Sequence, residues 1–477
     1  MNGADYLAIL PLIIIAGTAI VVMLAVAVHR SHLLSASLAF AGLGAAFGSL
    51  WPAATAAPRQ VTPLLVIDDY SLFYIGLVVA ASMVFTLLAY NYFERQHLES
   101  DELYILMLVA TLGAGVLVST SHFVTLFLGL ELLSVPLYGM IAYPQFKALS
   151  LEAGIKYLVL AAVSAAFLVF GMALVYGALG TMYFGGIAMR LATSTYDGWL
   201  VLPGLALIAT GFGFKLAVVP FHLWTPDVYE GAPAPVTAYI ATVSKGAVFA
   251  LLLRYFDLPG VHRAGRIFLL FSIVAIASMV AGNVLALLQD NVKRILAYSS
   301  IAHMGYLLVA FQASGALGPT AVTFYLVAYV VTSLGAFGVV SILSDGTREA
   351  DQFTDYQGLF WRRPAVAAVF TAMLLSLAGI PLTAGFIGKF FVVAAATSSA
   401  MWGLVIVLAA TSGIGIYYYL RIVVAMYSPA AETPPVQPSL AFSSAVVLAV
   451  LMVCLILFGV FPQSVLGIIR QAVASAI

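Results

Sequence analysis

The sequence predicts an all-α polytopic membrane protein of about fourteen transmembrane helices, and three observations carry that prediction. Of 477 residues, 63% are hydrophobic and only 8% are charged, against roughly 25% in an average soluble chain. The apolar residues fall into fourteen runs of the length a helix needs to cross a bilayer, about 20 residues. The breaks between runs hold most of the remaining charge, and none is long enough for a soluble domain.

In chain order the runs lie at 6–28, 32–51, 71–92, 103–119, 122–143, 152–178, 200–220, 236–255, 266–288, 295–313, 319–343, 364–391, 400–427 and 440–461. The first follows an acidic N-terminus and has no small-residue cleavage site, so it reads as a retained span. The polar breaks are Trp51 to Asp69, Glu94 to Glu102, Asp345 to Arg363 and Ser428 to Pro438. With the N-terminus outside, Arg30, Arg95, Lys147, Lys293, Arg294, Arg348, Arg362 and Arg363 fall in cytoplasmic loops. Arg59, Arg190, Arg263, Arg266 and Arg470 then face out, and eight cations against five is the bias expected of the inner side. An even number of spans returns the C-terminus to the outer side. Lipids are the surroundings this composition demands.

Composition also excludes. Nineteen basic and nineteen acidic side chains cancel, leaving no positive field to attract nucleic acid. The lone cysteine, Cys454, lies in an apolar run and can form neither an internal disulfide nor a metal cluster. No cofactor is expected in this chain, because it has no nucleotide-binding glycine loop and no cysteines for clusters.

An internal repeat organises the middle of the chain. The seventh run carries Gly211-Phe212-Gly213-Phe214-Lys215 and the twelfth carries Gly385-Phe386-Ile387-Gly388-Lys389, one G-F-x-x-K pattern displaced by 174 residues. The same offset aligns Thr237 and Ile240 with Thr411 and Ile414. Five spans per unit would place the copies in opposite orientations, the inverted-repeat plan of many transporters. The resulting division is 1–102 for three leading helices, 103–260 and 261–430 for two inverted five-helix repeats, and 431–477 for a last helix and tail. Pro220 and Pro381 lie near the two lysines, and proline removes a backbone hydrogen bond. Helices 7 and 12 are therefore expected to be interrupted at mid-membrane depth.

Charged groups within the spans are the candidates for function. An ionised side chain at the bilayer centre costs about 2.5 to 3.5 kcal/mol on insertion scales, so such groups face protein or water and usually work. Four of six lysines, Lys156, Lys215, Lys245 and Lys389, lie inside spans, and of nineteen carboxylates only Glu131 sits mid-span. Desolvation lowers a lysine's pKa and a nearby carboxylate raises it again, so the two together can poise an amine to exchange protons. Glu131 is paired on this reading with Lys215, whose proton it would load or eject by moving. Lysine suits that role where arginine, which stays protonated, does not. His222, just after Pro220, and His303, in the tenth span, are added as groups that titrate near neutrality. Moving Glu131 by the repeat offset lands two residues from His303. The competing readings are snorkelling or static pairing for the lysines and hydrogen-bonded core positions for the histidines. His122 reads as an interface residue, Arg421 as a snorkelling cation, and Tyr417, Tyr418 and Tyr419 as packing.

Several stretches resemble the antiporter-like subunits of respiratory complex I, the proton-pumping NADH:quinone oxidoreductase. They are ELLSVPLY from Glu131, GFGFKLAVVPFHLWTPDVYEGAPAP from Gly211, ATVSK ending at Lys245, QDNVKRILAYSSIAH ending at His303, and AGIPLTAGFIGK ending at Lys389. Together they cover about 103 to 427. The resemblance implies fourteen spans with two inverted five-helix units. It makes Glu131 the charge that modulates Lys215, Lys245 the connecting site and Lys389 the exit-side site. M-type members carry an acidic residue at the twelfth-helix position, and L-type members extend into a long lateral helix that this chain lacks. Those contrasts leave the N-type branch, and the three leading spans set the chain apart from animal mitochondrial counterparts. The resemblance further implies a bacterial inner-membrane location, with NADH, flavin, iron-sulfur clusters and quinone held elsewhere in the parent complex. Expected partners are other membrane subunits, including a neighbouring antiporter-like subunit and the lateral helix of subunit L. The rivals are a subunit of a multi-subunit cation/proton antiporter or membrane-bound hydrogenase, and a membrane anchor that conducts nothing. A free-standing transporter is disfavoured, since no polar cluster suits a solute beyond protons.

Overall fold

The computed structural model describes residues 2–96, 98, 100–192, 198–257, 265–345, 348–429 and 440–476. The expected outer residue Arg263, the breaks at 260/261 and 430/431, and most of the loop to Pro438 lie outside them. Thirteen described helices are long and apolar enough to cross a membrane. The twelfth run is divided between two shorter helices, Pro364–Ala378 and Ala384–Ser398, which together complete the fourteen runs. One two-stranded hairpin, Arg59–Thr62 with Leu65–Ile67, is the exception to helix among the described residues.

Burial sorts the helices into a centre and a rim. The eighth span, Ala234–Tyr255, and the eleventh, Leu317–Leu343, are buried throughout their membrane windows, whereas Ala148–Leu179, Trp402–Tyr427 and Phe442–Val460 are only 33% buried. A side chain on the eighth or eleventh span therefore meets protein in every direction. Beyond the fourteenth span the tail forms a further helix, Gln463–Ala476, whose Leu466, Ile469 and Val473 pack on Phe324 and Val327.

Contacts between chain ends group the loops as an even number of crossings requires. At one end Arg59 pairs with Asp5, Leu65 bridges Thr120, and the Gln471 amide donates to Asp69. At the other, Arg30 pairs with Glu102, Lys147 donates to Gln96, and Asn291 bridges Gln352. Both termini belong to the Arg59 end.

The two expected interruptions are present. The seventh span, Gly198–Leu216, stops one residue after Lys215, and the chain resumes helix at Trp224–Gly231. Ala217 adopts positive φ in the break, which also contains Pro220. A broken helix frees carbonyls that lipid cannot satisfy, and here the Trp224 indole donates to the Phe214 carbonyl at 3.0 Å. In the twelfth span the break runs from Gly379 to Thr383, whose hydroxyl caps the second half by accepting from the Phe386 amide. The eighth span carries a feature with no signature in the sequence, a π-helical turn at Ile240–Ser244 immediately before Lys245. Such turns widen a helix by one residue and recur at functional sites.

Candidate functional site

Three of the four in-span lysines are deeply buried, with Lys215 3%, Lys245 1% and Lys389 9% exposed. Their hydrogen bonds go to neutral oxygens rather than to carboxylates. Lys215 donates to the Ser134 hydroxyl at 2.7 Å and to the Tyr157 hydroxyl at 3.4 Å. Lys245 donates to Ser300 at 2.6 Å. Lys389 reaches back across the break to the Ala378 carbonyl at 2.9 Å and across to the Ser412 hydroxyl at 2.7 Å. Each ammonium also lies over an aromatic face, Lys215 over Tyr157, Lys245 over Tyr229 and Lys389 over Tyr306. A ring quadrupole attracts a cation without requiring a counter-ion. These pockets hold an amine well without fixing its charge by a salt bridge.

The tenth span, Val292–Phe311, links the second and third lysines. Ser300, one turn before His303, accepts from Lys245 and from the Tyr329 hydroxyl at 2.7 Å. His303 is held at both ring nitrogens, Nδ1 by the Tyr325 hydroxyl at 2.8 Å and Nε2 by the Tyr419 hydroxyl at 3.2 Å. Tyr419 also bonds Ser299. The Tyr306 ring, which carries Lys389 on its face, lies edge-on to His303. Between Lys215 and Lys245 the intervening groups are aromatic, with Trp224 against both Tyr157 and Tyr229, and the Tyr229 hydroxyl 3.4 Å from Ser300. Hydroxyls both donate and accept, whereas an indole only donates, and that of Trp224 is already given to the Phe214 carbonyl.

The remaining candidates are placed differently. Glu131, in the fifth span, is half-buried and one turn from Ser134, and Lys215 bonds that serine rather than the carboxylate. The same helix exposes Leu128, Leu132 and Val135 beside it. Lys156 lies at the rim, 41% exposed and paired with Glu152 at 2.6 Å and Asp227 at 2.9 Å. Arg294 joins the same ionic cluster through Asp227 and Glu230. Lys156 is therefore not brought together with the three buried lysines. His222 is buried, yet its Nδ1 has no hydrogen-bond partner among the described residues, and none of the bonds described above reaches it.

Three expectations need correction. Lys293 is not a loop cation: it occupies the first turn of the tenth span with its side chain fully buried, donating to the Glu230 and Ala232 carbonyls at 2.9 and 2.6 Å. Those carbonyls end the short helix Trp224–Gly231, where a cation is favoured by the helix dipole. Tyr418 and Tyr419 are more than packing, because Tyr418 donates to Asn283 at 3.0 Å and Tyr419 holds His303. A signal for Tyr419 was present, since the 174-residue offset carries Lys245 onto it. Arg421 does not merely snorkel but donates to Asp290 at 2.8 Å. Ser412 and Ser300 had no such signal, because serine is ordinary in apolar helices.

Gly379 shows how tightly the second break is built. Its φ is +85°, and a Cβ there would lie 2.7 Å from Lys389 Cδ. Gly379→Ala is expected to displace Lys389 and to cost about 1 to 3 kcal/mol from the backbone alone. The thermal unfolding midpoint of the purified protein checks this, and an unchanged midpoint would show that the break accommodates a side chain.

A bundle of broken helices around unpaired lysines defines a class of antiporter-like membrane subunits, and comparison with known proteins agrees. Residues 120–415 match the family described as NADH:quinone oxidoreductase/Mrp antiporter, transmembrane, and the chain belongs to that family. It is 50% identical over 460 residues to NADH-quinone oxidoreductase subunit N of Methylococcus capsulatus, covering 96% of this chain and 93% of the relative. Subunit N of Ectopseudomonas mendocina is 48% identical, with 99% and 97% covered. Among solved structures, a chain of respiratory complex I from Thermus thermophilus superposes with a TM-score of 0.83 at 34% identity, covering 96% and 98%. A chain of the Mrp complex from a Dietzia species shares the fold, with a TM-score of 0.86 at 20% identity, covering 99% and 97%.

Proposed function

We propose that this chain is the N-type subunit in the membrane arm of a bacterial proton-pumping NADH:quinone oxidoreductase and carries protons across the inner membrane. The observation that carries the reading is the set of three buried lysines whose ammonium groups bond hydroxyls and carbonyls instead of carboxylates. A static structural charge in a dry interior needs a counter-ion to offset several kcal/mol of desolvation. A lysine that must lose and regain its proton needs the opposite, neutral partners that tolerate both states. Lys215, Lys245 and Lys389 are the carriers on this reading, with His303 and its tyrosines between the last two. Glu131 would act on Lys215 at a distance. Its half-buried place beside an exposed apolar face suits a boundary with a neighbouring antiporter-like subunit, where a change next door could move it. Lys156 and His222 are assigned at most an accessory part.

The chain would then be a non-redox part of a translocase. NADH oxidation at flavin and iron-sulfur clusters, and quinone reduction, would belong to other subunits, and a lateral helix of subunit L would run along its flank. The two five-helix units would supply the paired broken helices. The 50% identity to subunit N over nearly the whole chain favours this over a cation/proton antiporter or a hydrogenase, which share the fold. The test is proton pumping by membrane vesicles carrying the complex with Lys215→Ala. Pumping is expected to fall severalfold, and wild-type stoichiometry would refute the assigned role.

A further inference from the structure

Lys293, buried, and Glu349, half-buried, are ionisable groups that the lysine chain does not use. Lys293 lies at the Lys147 end of the molecule, where a cavity of about 280 Å³ is lined by Lys147, Ser150, Glu230, Arg348, Glu349 and Asp351. This lining is charged, unlike that of the apolar cavity beside the seventh-span break. Glu349 is 16% exposed there and lies 3.4 Å from the Lys293 ammonium. Its other oxygen accepts from the Tyr92 hydroxyl of the third span, and Ser344 approaches at 3.4 Å. Two backbone carbonyls hold Lys293 independently of Glu349, so protonating the carboxylate does not strand the ammonium.

Helix geometry directs this cavity toward the relay. Lys293 and Ser300 are seven residues apart on the tenth span, hence on one face and about 10 Å apart along the axis. Between them on that face stand Leu296 and Ala297, both buried, and Ala297 is the small one that leaves room beside the helix. Ser300 accepts from Lys245, and the Ala232 carbonyl that binds Lys293 also accepts from Thr237 of the eighth span at 3.4 Å. Polar atoms thus extend from the cavity toward the central lysine.

Resting on the proposed pumping role, we infer that this cavity is the aqueous mouth of the relay, with Glu349 collecting protons that pass Lys293 and Ala297 to reach Lys245. A proton from cavity water binds the Glu349 carboxylate and is released inward as the carboxylate ionises again, with no bond formed besides O–H. The mouth lies on the side the positive-charge bias reads as cytoplasmic, the side from which an outward pump must draw. Around Glu349 stand Tyr92, Lys293, Lys147, Glu230 and, on its own loop, Arg348 and Asp351. Glu349 is singled out by geometry, since it lines the cavity and also reaches the buried Lys293 ammonium.

The experiment compares NADH-driven proton uptake and quinone reduction in inverted vesicles from pH 6 to 9, with assembly followed on native gels. Glu349→Gln is expected to lower both rates severalfold, with a deficit that widens as pH rises and protons become scarce, while Glu349→Asp restores most of the rate. Ala297→Leu, which leaves every ion pair in place, is expected to reproduce the pH-dependent deficit by narrowing the route. Wild-type rates in Glu349→Gln, or equal impairment in Gln and Asp variants at every pH, would overturn the inference. So would wild-type rates in Ala297→Leu. Lys245→Ala run alongside separates the two levels: if it pumps normally, the underlying relay fails, whereas its failure beside an active Glu349→Gln rejects the mouth alone.

Discussion

Lys245→Arg is expected to cut proton pumping by about tenfold or more, equivalent to about 1.4 kcal/mol or more on the barrier of the limiting step. The substitution keeps a positive charge, so a lysine that served only as a fixed charge would leave the pumping ratio of the assembled complex unchanged. Guanidinium, however, does not release its proton in proteins, and a relay stops at a site that cannot become neutral. The pocket reinforces the effect, because Lys245 is 1% exposed and is fitted between Ser300 and the Tyr229 ring. A planar fork with five donors would leave several unsatisfied there. Lys245→Met supplies the contrast, removing charge and proton together. Both variants should fail in assembled complex, measured as proton uptake per NADH oxidised. An arginine variant that pumps at the wild-type ratio would reject proton release by Lys245.

The largest expected effect on stability lies at the opposite end. Arg254, in the last turn of the eighth span, donates to both oxygens of Asp68 at 2.7 and 3.0 Å, with side-chain exposures of 7% and 4%. Asp68 also caps the third span by accepting from the Ser71 amide at 2.8 Å, and the guanidinium rests on the Tyr70 ring. Arg254→Met would leave a buried carboxylate without its counter-charge, a change that typically costs about 3 to 5 kcal/mol. Adding Asp68→Asn should recover part of that loss, since an amide needs no counter-ion and still accepts from the cap. Thermal unfolding of single and double variants measures both steps. A single variant within about 0.5 kcal/mol of wild type, the range of ordinary surface changes, would show that the pair carries little.

Much of this protein was legible in residue types and their spacing. Fourteen apolar runs, the breaks near Pro220 and Pro381, and the unusual lysines at 215, 245 and 389 are all chemical facts of the chain. Bilayer thickness turns the first into helices, and proline's missing donor turns the second into interruptions. The cost of a charge in hydrocarbon marks the third as candidates. What the chain could not disclose is which way each side chain points. In a soluble helix the polar face announces the exterior, but lipid is as apolar as a protein core, so a membrane helix carries little facial signal.

That ambiguity explains each displacement between expectation and structure. Lys156 and Lys245 look alike as lysines within apolar runs, yet one lies at a rim among carboxylates and the other at the centre. Lys293 reads as a loop cation beside Arg294, and only the packing of the Trp224–Gly231 helix against it reveals its burial. Tyr419 reads as bulk until the thirteenth span is seen to cross the tenth at His303. The sequence by itself determined how many apolar runs are long enough to cross a membrane, where two of them break and that lysines stand within them at 215, 245 and 389. Tertiary structure alone decided which of those groups meet, because contact between helices depends on their rotation about their own axes, and uniform hydrophobicity leaves that rotation unwritten.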